Sequence, residues 1–183
     1  MSRSYKFSNP NGLYFVSFAV VYWIDVFSRK RYRDILVESI NYCIENKGLT
    51  VNAWVIMTNH VHLLIRSETN DCAAIIRDLK KFTSKAILKD IETNMQESRR
   101  EWMLWMFKRA GEKNSNNKNY QFWQQHNQPI DLSNNIQRLD KAINYIHQNP
   151  VSAGFVCKAE DYLYSSAIDY TGEKGFIKIE KIW

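Results

Sequence analysis

Two apolar runs, 50–57 and 60–66, are separated only by Thr58 and Asn59. Two strands joined through two residues must pair antiparallel, because a parallel pair needs a crossover of a dozen residues or more. The turn lacks the glycine that ordinarily supplies a positive φ there, so the expectation of a hairpin rests on the flanking β-branched pattern. The hairpin sits between segments of helical periodicity. Residues 29–46 carry Ile35, Leu36, Ile40 and Cys43 at spacings of one helical face, with Gly48 as a stop. After the hairpin, Asn70 or Asp71 caps a helix over 72–90, with Ile75, Leu79, Phe82 and Ala86 on one face.

The outer segments extend this frame. Residues 12–22 (GLYFVSFAVVY) read as a central strand. Residues 97–110 read as a helix bearing Trp102, Met103, Trp105, Met106 and Phe107, and 111–119 (GEKNSNNKN) as a polar, basic, mobile loop. Residues 120–125 are a short strand candidate. Asp131 or Ser133 caps a helix running to Asn149, where Pro150 ends it, and 176–182 is a candidate last strand. No internal repeat is present. The order β, α, β, β, α, then β and a further helix predicts an α+β fold: a ferredoxin-like antiparallel sheet with helices on one face and an additional C-terminal helix. It forms one domain over 1–183, with an inserted helix and loop at about 93–119.

The chain has 183 residues, 45% hydrophobic and 24% charged, the balance of a soluble globular domain. Its longest apolar run, 13–24, carries Ser17 and ends at Asp25, so it reads as a buried strand and not a membrane span. The first eleven residues show no leader pattern, and Cys43, Cys72 and Cys157 stand far apart with no CxxC spacing. They read as buried or half-buried thiols in a reducing compartment, so a cytoplasmic location is expected. A net charge of +6, from 25 Lys and Arg against 19 Asp and Glu, favours a polyanionic partner without identifying one. The aromatic content of 14% suits either base stacking or a Trp-rich core, and for most of these residues the core is the better reading.

The segment 58–65 (TNHVHLLI) carries the chemistry. Alternate strand residues share a face, so His60 and His62 point one way while Val61, Leu63 and Ile65 point to the helices. Both imidazoles are then free to converge on one ion, or simply to face solvent. The later helix has an apolar stripe of Ile136, Leu139, Ile143 and Ile146. At 100° per residue Tyr145 sits about 140° from the stripe's centre, turned away from the core, with Asn149 one turn on along the same face. Arg138 and Lys141 share that side. The face offers a hydroxyl nucleophile, an amide oxygen and two cations suited to phosphate.

The ordered motifs NHVHLLI, NYIHQNPVSAG and EDYLYSSA, supported by DLKKFTSKAI and YQFWQQ, resemble the single-tyrosine transposases of the HUH superfamily, the insertion-sequence and REP-associated enzymes. The similarity spans most of the chain. By position, the resemblance implies that His60 and His62 are metal ligands, Tyr145 is the catalytic tyrosine on the additional C-terminal helix, and Asn149 is the third ligand. His147, Gln148 and His126 fall outside the pattern. It also implies a DNA transposase, a site-specific nuclease and strand transferase for single-stranded or hairpin DNA, working through a 5′-phosphotyrosine with Mg²⁺ or Mn²⁺. Two imidazoles and an amide suit Mn²⁺ by softness, and abundance favours Mg²⁺.

Tyrosine, with an unperturbed pKa near 10, needs help as a nucleophile at neutral pH, and a divalent cation bound to the scissile phosphate supplies some of it. Arg77, Lys80, Lys81, Lys85 and Lys89 lie outside the apolar stripe of the 72–90 helix. They form a solvated face or, beside a nuclease site, a DNA-binding surface that contacts phosphates without reading sequence. The Trp-rich segment points weakly to a homodimer. Rival readings are a domesticated enzyme that processes repeat hairpins, a non-enzymatic ferredoxin-like binder using Tyr14, Phe18 and Trp54 to stack bases, and a hydrolase that does without Tyr145.

Overall fold

In the computed structural model, which describes residues 6–69, 71–114 and 119–182, the hairpin forms between β2 (Leu49–Ile56) and β3 (His60–Ser67), with Ile56 opposite Val61. A bulge lies between Val51 and Ala53. β3 also pairs antiparallel with β1 (Tyr14–Ala19), which sets His62 opposite Ser17 and His60 opposite Ala19. A two-residue strand, β4 (Ile130–Asp131), pairs with Phe15 and Tyr14 on the far edge. The order β2-β3-β1-β4, all antiparallel, is that of a ferredoxin-like sheet.

Strand alternation sorts the two faces. Tyr14, Val16 and Phe18 of β1 and Val61, Leu63 and Ile65 of β3 are buried on one side, under α1 (Lys30–Lys47) and α2 (Cys72–Thr93). α1 stops where Gly48 takes a left-handed φ of 66° and its N–H caps the Cys43 carbonyl, a conformation that costs glycine nothing. α2 starts where the Asp71 side chain accepts from the Ala74 N–H at 2.9 Å; Asn70 lies outside the described residues. Arg31 and Asp90 join the two helices by an ion pair. α3 (Arg100–Glu112) buries Met103 and Phe107, the latter 5.1 Å from Phe122, and leaves Trp102 and Trp105 exposed. The additional helix, α4 (Ile136–Ser152), covers the opposite face of the sheet with Leu139, Ile143 and Ile146.

Several segments differ from expectation. Residues 120–125 form no ladder strand, although Trp123 bridges Val20 and Gln124 N–H bonds the Ala19 carbonyl at 2.8 Å, so the segment still covers the β1 edge. Residues 176–182 are also irregular; Glu180 N–H reaches the Val51 carbonyl at 2.9 Å and, with 164–166, covers the outer edge of β2. Covered edges suppress pairing with other chains. β1 ends at Ala19 because the chain turns through a short 3-10 segment, Val21–Trp23. α4 is capped by Asn135, whose side chain accepts from Arg138 N–H, and not by Asp131 or Ser133. It also runs through Pro150, since a proline in the last turn removes only one helical hydrogen bond. Phe82 and Ile136 leave their stripes, at 62% and 73% exposure, and Thr83 and Ile87 take the buried positions on α2. Cys157 is exposed, unlike Cys43 and Cys72. Residues 115–118 of the basic loop lie outside the described residues. Among the described residues, no helix is long and apolar enough to cross a membrane.

Candidate active site

His60 and His62 project from β3 toward α4, their ring centroids 4.9 Å apart. His60 is oriented by its neighbour in the turn. The Asn59 amide nitrogen donates to Asp25 Oδ1 at 3.0 Å and to the Trp23 carbonyl at 3.2 Å, which fixes the amide's orientation. Its oxygen therefore faces His60 Nδ1 at 2.8 Å and can only accept, so Nδ1 carries the proton and Nε2 presents its lone pair. Asp25 Oδ1 also takes the Thr58 hydroxyl at 2.6 Å, which ties the hairpin turn to the segment after β1. By sequence Thr58 and Asn59 form only a turn. An amide immediately before a candidate ligand histidine was the available signal.

α4 brings the remaining groups. Tyr145 is 53% exposed, and its ring lies 5.2 Å from that of His62. Phe15 of β1 stacks on His62 at 5.3 Å and meets Tyr145 edge-on at 6.0 Å, so the three rings form one cluster. One turn on, the Asn149 side chain stands beside the His60 ring. The groups open onto a cleft of about 740 Å³ that Arg138, Lys141, Trp23 and Gln128 also line. Among the described residues no carboxylate lines the cleft, and neither Arg138 nor Lys141 has an ion-pair partner. Such a site attracts anions.

Burial pushes the His62 pKa down to about 3, reinforced by neighbouring His60, and burial also lowers His60, opposed in part by the neighbouring Asn149 side chain. Both imidazoles are therefore neutral at pH 7, the form that binds metals. His62 is 6% exposed, and among the described residues neither of its ring nitrogens has a hydrogen-bond partner. An orphaned imidazole is expensive unless something external completes it. Among the described residues no three His, Cys, Asp or Glu side chains converge. A divalent cation here would thus draw on His60, His62 and an amide oxygen, and the donor set fits one.

The other candidate residues are arranged differently. Arg77, Lys81 and Lys85 are exposed on α2, across the sheet from the cleft. Lys80 is half-buried: its ammonium donates to the Asn127 side-chain oxygen at 2.6 Å and to the Gln124 carbonyl at 2.9 Å, and burial lowers its pKa to about 8. It supports the segment leading to Gln128, and that contact occupies the charge expected to track phosphate. His147 turns away to Ser166 Oγ at 2.9 Å, and His126 is exposed elsewhere.

A family model described as "Transposase IS200 like" matches residues 11–106. No curated protein matches the chain. Among solved structures, one titled "Structure of the REP associates tyrosine transposase bound to a REP hairpin" is similar over 94% of this chain and 88% of that one, with a TM-score of 0.62 and 17% identity.

Proposed function

The chain belongs to the IS200-like transposase family, and from that premise we propose that it is a metal-dependent single-tyrosine nuclease and strand transferase for single-stranded DNA. The observation carrying this reading is that Tyr145, half-exposed on α4, opens onto the same cleft as the orphaned His62 of β3. A core tyrosine would bury its ring, and a structural histidine would find a partner. A non-enzymatic binder gives neither arrangement a reason, and its stacking candidates Tyr14, Phe18 and Trp54 are all buried.

In the proposed reaction, Arg138 and Lys141 hold the non-bridging oxygens of the scissile phosphate beside Tyr145. A divalent cation held by His60, His62 and Asn149 would supply charge neutralisation at that phosphate. Tyr145 Oη attacks phosphorus as the phenolic proton leaves to solvent through the open side of the cleft. The P–O3′ bond breaks, the departing 3′-oxygen takes up a proton as a free hydroxyl, and the 5′-phosphate remains on Tyr145. Attack by another 3′-hydroxyl reverses these steps and frees the tyrosine, so the strand is transferred and not hydrolysed.

The similar structure is that of a REP-associated transposase with a REP hairpin, which favours hairpin-forming DNA as the substrate here and a repeat-processing role as the second reading. Nucleophile and histidines of one chain share one cleft, which favours chemistry carried out within one cytoplasmic subunit. The test is incubation of labelled single-stranded and hairpin DNA with the protein and Mn²⁺, followed by denaturing electrophoresis. A denaturation-resistant adduct is expected with wild type and none with Tyr145→Phe, which lacks only the hydroxyl. An adduct formed by the Phe variant would remove Tyr145 from the role.

A further inference from the structure

Among the described residues, three that are not glycine adopt a positive φ: Tyr22 and Trp23, both at 55°, and Gln128 at 42°. Trp23 and Gln128 both line the cleft that holds the histidines and Tyr145, and Tyr22 adjoins it in the chain. A left-handed backbone is costly for any residue with a Cβ, and most costly for a bulky ring. Such conformations persist where the surroundings over-determine them, and they gather at ligand sites.

Here the surroundings do over-determine them. On one side of the cleft, Trp23 N–H bonds the Val20 carbonyl at 3.1 Å and Val20 N–H bonds that of Asn59 at 2.8 Å, while the Asn59 amide holds the Trp23 carbonyl. On the other, Ser17 N–H and Lys80 clamp the main-chain and side-chain oxygens of Asn127, directly before Gln128. The strain gains no burial: Trp23 is 57% exposed and Tyr22 44%, whereas Trp54 and Trp123 lie in the core. Trp23 also ends a row of rings. It lies 5.9 Å from His60, His60 lies 4.9 Å from His62, and His62 lies 5.2 Å from Tyr145.

We propose that Trp23 is a base-stacking platform, with the Gln128 amide across the cleft to meet a base edge, for the unpaired nucleotide next to the scissile phosphate. This rests on the reading of the cleft as a single-stranded DNA site. A phosphate held between Arg138, Lys141 and Tyr145 leaves its neighbouring base to be placed, and the exposed indole at the far end of the ring row is positioned to receive it. An unstacked base presents a π-face whatever its identity, which an indole binds, and an amide offers the donor and acceptor that a base edge requires. Holding that base would fix the register of the strand against the nucleophile, so Trp23 is a positioning residue.

The test uses full-length Tyr145→Phe protein in chelator, so that no covalent chemistry enters, with two probes: labelled oligothymidylate and an abasic oligomer of equal length. Trp23→Gly is expected to weaken binding of oligothymidylate about ten-fold, as for the loss of one stacked base. Binding of the abasic oligomer should be unchanged, and the melting temperature should be equal or higher because glycine accepts the left-handed backbone. Trp23→Phe, which keeps a ring, should retain most of the affinity. If Trp23→Gly binds oligothymidylate as tightly as wild type, or loses both oligomers alike, the proposal is overturned. Failure of the functional reading would appear separately, as absence of a Tyr145-dependent adduct with metal present while the base-selective effect of Trp23 persists.

Discussion

The ring of Tyr145 stands edge-on to the imidazole of His62, with centroids 5.2 Å apart and planes at 68°. One residue belongs to α4 and the other to β3, and Phe15 fills the angle between them. The distance is therefore set by packing between a helix and a sheet, and the phenol is oriented without help from a ligand. Preorganisation of this kind lets binding energy act on the reaction and not on assembling the site.

That burial has a consequence for His62 itself. With both ring nitrogens buried and unpartnered, the metal-free protein carries the cost of an unsatisfied polar group, about 1–3 kcal/mol. His62→Leu should therefore be more stable than wild type in chelator by about that amount. Mn²⁺ should stabilise wild type in proportion to its occupancy and leave the Leu variant unmoved. Urea unfolding of both proteins with and without Mn²⁺ measures this. A Leu variant less stable than wild type in chelator would assign His62 to packing.

Asn149 separates this site from a generic histidine pair. It lies one turn beyond Tyr145 and meets the His60 ring, so its amide connects the nucleophile's helix to the histidines. Asn149→Ala should lower cleavage at limiting Mn²⁺ about 10–100-fold, with partial rescue by excess metal, and Asn149→Gln should retain more activity because the carbonyl is kept. Cleavage rates over a Mn²⁺ titration decide. An Ala variant equal to wild type at limiting metal would reduce Asn149 to a helix residue ahead of Pro150.

The pattern of legibility follows the physics. Strand alternation sufficed to put both histidines on one face, and helical spacing sufficed to turn Tyr145 away from the core, because both are local periodicities. Lys80 is off-stripe, as its spacing implies, but no periodicity reveals that residues 124–127, bonded along β1, receive its ammonium. Phe82 and Ile136 fit apolar stripes by spacing alone, which cannot say which positions of a helix a neighbouring element covers. Residues 120–125 had a strand's composition, yet the ladder bonds went to Ile130 and Asp131. Trp23 gave no signal at all, since a positive φ leaves no mark on a residue type that ordinarily avoids it.

Lys80 can be distinguished from a phosphate-binding lysine by salt. On single-stranded DNA each Lys– or Arg–phosphate contact contributes about 0.7 to the slope of log affinity against log salt concentration. Arg138→Ala and Lys141→Ala should each flatten that slope for oligothymidylate by roughly this amount. Lys80→Met should leave it unchanged, yet lose about 1–3 kcal/mol of stability, because the Asn127 and Gln124 oxygens lose their donor. A flattened slope with unchanged stability would return Lys80 to the DNA surface.

His147 points from α4 toward the C-terminal segment and not the cleft. Its Nε2 lies 2.9 Å from Ser166 Oγ, its ring meets Tyr170 at 4.9 Å, and burial pushes its pKa down to about 4. In the unfolded chain an imidazole takes up its proton near pH 6.5. Between pH 6.5 and about 4 the unfolded state therefore binds more protons than the folded one, and stability falls as the pH falls. The contribution is intact above the unfolded value and is lost on acidification through this window, at roughly 1 kcal/mol per pH unit. His147→Gln has no proton to take up and can still meet Ser166, so its stability should fall less steeply between pH 7 and pH 5. His62 contributes with the same sign but is present in both proteins, so the difference between the two curves isolates His147. Urea unfolding in chelator at several pH values measures that difference. Parallel curves for wild type and His147→Gln would mean that His147 takes up its proton in the folded state as readily as in the unfolded chain.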